Sequence, residues 1–208
     1  MAAGIYNFTI EQGTTWSKTL YFAQRDVGLI LDTSSNTTIT VDATAKTYTR
    51  SDSGSWSDDG LQVGDYLVVS GFVESANNGS HIITTLTDTV ITCSGSTLTD
   101  ETISPVTTNA EVVILKAMNL TSYTGAAMIR KKYSSTAASA TMTVTFNATR
   151  TSGIVTLSLT NTQTSAIPAG EDSEATASQY VWDLEFTLSG VVTRMLQGTV
   201  SISPEATK

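Results

Sequence analysis

Apolar and polar residues alternate with period two along most of this chain, most clearly near its end. In QYVWDLEFTLSGVVTRMLQGTVSISP (179–204), Tyr180, Trp182, Leu184, Phe186 and Leu188 alternate with Val181, Asp183, Glu185 and Thr187. Period two is the mark of a strand with one face buried. Ser189-Gly190 supplies a turn, and Val192, Leu196, Val200 and Ile202 carry the apolar pattern back. The segment predicts a β-hairpin. With a two-residue loop, Val192, Leu196 and Val200 share a face with Asp183 and Glu185. A three-residue loop, Leu188-Ser189-Gly190, instead sets Phe186 against Val192, Trp182 against Leu196 and Tyr180 against Gly198, and wants glycine at its last position. A one-residue slip flips every side chain to the other face, so the apolar match favours the odd loop. Arg194 then falls beside Leu184 on the buried face, where it must snorkel, stack on Trp182 or be turned out by a bulge.

The same reading gives strands at Ile5–Glu11 and Thr15–Phe22, then a short apolar stretch, Leu29–Leu31. From Asp32 the strands shorten: Thr37–Val41, Ala45–Thr49, Asp65–Ser70, Ser80–Thr85, Thr89–Ser94 and Ala110–Leu115. Val63, Leu67, Val69, Ile82, Leu86, Ile91 and Val113 are the expected core of this stretch. Past Lys116 the strands lengthen again at Tyr123–Tyr133, Ala140–Phe146 and Gly153–Asn161. One helix is expected, Thr162–Ile167, ended by Pro168 and Gly170. The fold class is all-β. Two opening strands cannot bury their apolar faces alone. They need the C-terminal strands, so 1–33 and 115–208 are read as one discontinuous β-sandwich. Residues 34–114 then form an inserted small β-barrel or β-sandwich, an arrangement that closure entropy tolerates. Two tandem domains divided near residue 116 are the alternative.

The 208 residues carry 11 basic and 19 acidic side chains, a net charge of −8, and only 14% are charged. An acidic chain lacks the basic surface that displaces counterions from nucleic acid or holds an anionic membrane. One cysteine, Cys93, excludes an intrachain disulfide and a thiolate zinc site. The opening residues lack a signal-peptide pattern, and no apolar run is long enough to span a bilayer. A protein made in the cytoplasm is expected. Sequons at Asn7, Asn36, Asn78, Asn119 and Asn147 are chance matches in a Thr-rich chain.

Catalytic constellations are scarce. His81 is the only histidine and has no nucleophile or orienting acid beside it in sequence. It reads as structural. Cys93 lies in an alternating strand with no cation near to activate it. Asp52, Asp58, Asp59 and Asp65 are acidic enough to suggest calcium, but their spacing does not match a calcium loop. They read as a solvated loop, as do Glu171, Asp172 and Glu174. P-loop, GxSxG, HExxH and dinucleotide motifs are absent. Paired carboxylates of the glycosidase type are set by folding and not by spacing, so sequence leaves them open. No cofactor and no metal is expected. Arg130, Lys131 and Lys132 form the only basic run and suit an acidic protein partner. Trp56, in a polar loop, is the one tryptophan placed to touch a partner or a sugar; Trp16 and Trp182 fit strand cores.

The order YNFTIEQGTTWSKTLYF, MNLTSYTGAAMIRKKY, SGIVTLSLTNTQTSAIPAG, YVWDLEFTLSGVVTRMLQGTVSISPEAT resembles small structural proteins of tailed phages and prophages. The resemblance covers about 1–31 and 117–208. It implies an immunoglobulin-like β-sandwich similar to the N-terminal domain of baseplate upper proteins. LQVGDYLVVSGFVESANNGSHIITTLTDTVITCSGSTL looks like a small β-module inserted in phage virion proteins. The implied protein is a non-enzymatic tail or baseplate component, assembled in the host cytoplasm. Its partners would be copies of itself and other virion proteins. No coiled coil or receptor-binding domain follows the sandwich, so a connector or peripheral role is expected rather than host binding. A capsid decoration or head–tail accessory protein, and a carbohydrate-binding module at a tail tip, are the alternatives.

Overall fold

The computed structural model describes residues 3–94, 97–108, 111–169 and 178–205. The chain is all-β: sixteen strands and two short α-helices lie among the described residues. The first three strands are β1 (Gly4–Ile5), β2 (Phe8–Glu11) and β3 (Trp16–Tyr21). Then come β4 (Ala23–Leu31), β5 (Ile39–Asp42), β6 (Thr47–Arg50), β7 (Tyr66–Ser70), β8 (Gly79–Leu86), β9 (Val90–Ser94), β10 (Glu101–Ile103) and β11 (Val112–Ala117), with α1 (Pro105–Thr108) between the last two. The chain ends with β12 (Thr124–Arg130), β13 (Ala140–Phe146), β14 (Ile154–Leu159), α2 (Asn161–Ser165), β15 (Ser178–Leu188) and β16 (Val191–Ser203).

Two compact units result. One comprises Met1–Leu20, Ser122–Phe146 and Val155–Lys208; the other comprises Tyr21–Thr121 and Asn147–Ile154. In the first unit the strand order is β1-β16-β15-β12-β13-β14-β3, with β2 also pairing β16. The path folds over at β13. Its first residues, Ala140–Met142, pair with β12, and Thr143–Phe146 pair with β14. A strand shared in this way makes the corner of a sandwich. The two ends of the path therefore meet face to face: Phe8 of β2 stacks on Trp16 of β3 with ring centroids 4.7 Å apart. Trp182 meets Phe8 edge-on at 5.0 Å and donates its indole N–H to the Tyr6 carbonyl at 2.8 Å. The expected alternation of β15 holds, with Tyr180, Trp182, Leu184 and Phe186 buried. The helix starts one residue earlier than expected because Thr160 and Gln163 form a capping box, which satisfies the first free N–H groups.

The second unit is one antiparallel sheet in the order β10-β5-β6-β9-β8-β7-β11-β4. All eight strands feed a single core, from Leu31 of β4 to Ile103 of β10. The sheet must therefore curl around that core as a small barrel-like layer. β4 is longer than the apolar stretch suggests and pairs with β11, Leu31 opposite Val112 and Ala23 opposite Ala117. These two strands are the way into and out of the unit, and both lie in the second sheet. At their bulge Gly28 has φ +112°, and a Cβ there would meet the Ile114 carbonyl oxygen at 2.3 Å; only glycine fits. β10 has no apolar alternation to announce it and was not expected.

Of the expected core residues, Leu67, Val69 and Ile91 are buried, and Leu86 packs against the core partly buried. Val63 is instead 61% exposed. It lies at the tip of a turn closed by Asp65 N–H donating to the Gln62 carbonyl. Ile83 takes the inward place expected for Ile82, and Val112 and Ile114 flank a half-buried Val113. Both slips are by one residue, which in a strand exchanges faces.

Candidate interaction surface

The hairpin of β15 and β16 ends in a two-residue turn, not the expected three-residue loop. Leu188 pairs with Val191, and Ser189 and Gly190 both have positive φ, 50° and 82°. That is the primed turn whose twist matches the strands. Phe186 lies opposite Thr193, Trp182 opposite Gly198 and Tyr180 opposite Val200. The apolar frame is recovered by a bulge: Glu185 pairs with Arg194, then Leu184 with Leu196, leaving Met195 as the extra residue. Arg194 therefore faces solvent, and its guanidinium lies 3.3 Å from both Asp183 and Glu185. Burial, with Glu185 alongside, pushes the Asp183 carboxyl up against the pull of Arg194 and Arg130.

This geometry leaves the hairpin tip apolar and uncovered. Val191 is 67% exposed and Val192 58%, with Leu188 beside them on the outer border of burial. A Cβ on Gly190 would meet nothing within 4 Å, so the turn projects into open space. Among the described residues, β1 pairs with β16 from Leu196 and β2 from Val200. Leu188 and Val191 lie opposite each other beside the turn, and Val192, opposite Thr187, projects from the other face, so the tip is apolar on both sides. Contiguous exposed apolar surface marks contacts with other proteins, and the Leu188–Val191 pair is a small instance of it.

The other expected contact residues sit elsewhere. Arg130 turns back and donates to the carbonyls of Ser135 and Thr136 at 2.9 and 3.0 Å, closing the loop after β12. The Lys131 ammonium lies 4.9 Å from the centre of the Tyr180 ring. Lys132 is exposed. The basic run is thus divided among three roles and is not one patch. Trp56 is 0% exposed and belongs to the core of the second unit. Its ring lies under the Arg50 guanidinium, 4.7 Å away. A side chain so placed has no face to offer a partner or a sugar. Its polar neighbours in sequence concealed this, because the loop folds back over the indole.

Arg50 explains the loop, and sequence reasoning missed it. It is only 5% exposed and binds Asp52 through two donors and Asp59 through a third. Asp52, with Arg50 hydrogen-bonded to it, is held below the usual carboxylate range. Asp65 pairs with Lys116 at 2.9 Å. Only Asp58 of the four is fully exposed, so this segment is a clamp and not a solvated loop. No group of side chains among the described residues is arranged to hold a metal ion. Glu171, Asp172 and Glu174 lie outside the described residues.

His81 and Cys93 are both buried, at 6% and 2% exposure. Burial pushes the imidazole down and the thiol up to about 12. A thiol held protonated is a poor nucleophile. No helix among the described residues is long and apolar enough to cross a membrane. A scan against protein-family models finds no match to this chain, and a search of curated proteins finds none.

Proposed function

We propose that this chain is a non-enzymatic structural component of a tailed-bacteriophage virion, in the tail or baseplate. It works by packing β-surfaces against neighbouring virion proteins and against copies of itself. The observation that carries this reading is the aliphatic tip formed by Leu188, Val191 and Val192. Water penalises such exposed surface, at roughly 25 cal/mol per Å² of apolar area left uncovered, and a protein contact removes the penalty. The motif order that resembles phage structural proteins supports it, and so does an acidic, weakly charged composition that suits protein partners better than nucleic acid. Symmetric assemblies present one surface many times, so a small apolar contact is multiplied. A sugar-binding reading rested on an accessible Trp56, and the buried indole removes that support.

The test is to tag the chain and locate it in purified particles by electron microscopy. Density at the tail or baseplate is the expected result. Density on the head would move the protein to a capsid decoration or head–tail role. Absence from purified particles would overturn the structural reading altogether.

A further inference from the structure

The second unit carries a chemically reactive pair of residues that its own fold demands. β8 opens at Gly79, which pairs with Val69 of β7 and has φ +111°. L side chains rarely adopt that conformation, so glycine is required there. The residue before it is fixed by the 71–78 connection between β7 and β8. Phe72 is buried at 6% exposure, and its backbone groups need partners. The Asn78 carboxamide supplies both. Its oxygen accepts the Phe72 N–H at 3.0 Å, and its nitrogen donates to the Phe72 carbonyl at 2.9 Å. The same nitrogen donates to the Glu74 carbonyl at 3.3 Å. On so short a side chain only a primary amide offers an acceptor and two donors. The two demands together put Asn78 before Gly79, the single Asn-Gly pair of the chain.

Asn-Gly is the sequence in which a side-chain amide is lost most readily, because glycine has no side chain to hinder the attack. The Gly79 nitrogen, giving up its proton, bonds to Cγ of Asn78. The Cγ–Nδ2 bond breaks, and ammonia leaves with that proton. Water then opens the five-membered imide at either carbonyl, leaving aspartate or isoaspartate at position 78. Ring closure needs the Gly79 nitrogen turned toward Cγ. In the closed connection Asn78 is extended, with φ −93° and ψ 161°, and its own N–H donates to the Ser75 carbonyl at 3.2 Å. The carboxamide must leave Phe72 and Glu74, and ψ must rotate, before the two atoms meet.

We propose that Asn78-Gly79 is a deamidation site guarded by the closed 71–78 connection, and that its reaction makes opening irreversible. A carboxylate at position 78 keeps an acceptor for the Phe72 N–H but loses both donors, and it sets a charge against the Phe72 and Glu74 carbonyls. The isoaspartyl form also adds a carbon to the backbone at the entry to β8. Neither product rebuilds the closed connection, so an opening that leads to reaction is recorded permanently in the chain.

The experiment ages the full chain at mildly alkaline pH, folded in buffer and unfolded in guanidinium chloride, and locates deamidation by peptide mass spectrometry. Unfolded, position 78 should react before every other asparagine. Folded, it should react at least about tenfold more slowly, since only the open fraction reacts. The Glu101 carboxylate accepts the N–H groups of Val73 and Glu74 at 2.9 and 3.2 Å. Glu101→Gln therefore weakens the connection without touching Asn78; it should speed the reaction in buffer and leave the rate in guanidinium unchanged. Hydrogen exchange then compares the deamidated fraction with the parent chain. The amides of residues 72–78 should exchange faster, while those of β6 and β9 hold. Equal rates in buffer and guanidinium would overturn the guard, as would another asparagine reacting first in the unfolded chain. Unchanged exchange in the deamidated fraction would overturn the irreversibility. If Glu101→Gln does not fold, the two rates of the unaltered chain still decide.

Discussion

At the scale of single residues, burial decides chemistry more than sequence neighbours do. Arg50 sits nine-tenths buried over Trp56, with Asp52 and Asp59 closing its donors. Removing it strands two carboxylates and uncovers an indole. Breaking a buried pair costs about 3–5 kcal/mol. Because Asp52 and Asp59 keep 31% and 28% side-chain exposure, Arg50→Ala should cost less, about 2–4 kcal/mol. Urea unfolding followed by tryptophan fluorescence checks this. Cys93 and Tyr48 give a pH prediction. Burial raises the folded thiol from 9.0 to about 12, and Tyr48 is raised above its ordinary 10.0. For a raised pKa the unfolded chain loses its proton first. Stability is therefore complete below pH 9.0 and falls as pH climbs toward about 12. Melting midpoints measured between neutral and alkaline pH should show this decline, and Cys93→Ala should lessen it. The Arg50 clamp was not legible in SDSGSWSDDG. A sequence shows that Trp56 has polar neighbours, but not that an arginine six residues earlier will cover it.

At the scale of elements, alternation located the strands well, and register poorly. Tyr180 to Phe186 announced both a strand and its buried face, because period two is a local property. Pairing depends on two chains at once. The apolar residues of β16 demanded a one-residue correction relative to β15, and a sequence can supply it at the turn or by a bulge. The structure uses the bulge at Met195, which no residue type marks. β10 escaped notice for a similar reason, since Glu101–Ile103 is three residues long and, among the described residues, pairs with β5 alone. The turn itself is testable. Ser189 holds a left-handed conformation at φ 50°, which asparagine tolerates better. Ser189→Asn should stabilise the first unit by about 0.5–1 kcal/mol, and Gly190→Ala should destabilise it by about 1 kcal/mol. Urea midpoints of the two variants should move in opposite directions. Equal shifts would mean that the turn does not control the hairpin.

At the scale of the whole molecule, two predictions separate assembly from folding. Val191 and Val192 project where no described residue covers them, so replacing both with lysine should cost about 1 kcal/mol or less in stability, the range of strand propensity. Under the proposed role, incorporation into particles should nevertheless fall by at least about tenfold. Quantifying the chain in purified particles beside its melting curve distinguishes lost contact from lost fold. The second prediction concerns where the inner unit begins. Composition changes at Asp32, and that shift drew the boundaries of 34–114. The sheet obeys pairing and not composition: β4, before Asp32, is the partner of β11, and Leu31 belongs to the same core as Ile114. A fragment 34–114 lacks β4 altogether and ends within β11, which exposes one edge of the sheet and the face of Val112 and Ile114 that it covers. A fragment Tyr21–Thr121 keeps all eight strands and the described core residues, and loses the Asn147–Ile154 contacts of this unit, such as Gly153 carbonyl to Phe22 N–H. The longer fragment should give dispersed amide resonances and a cooperative melt. The shorter one should give neither, because a sheet cannot hold its core with one wall removed.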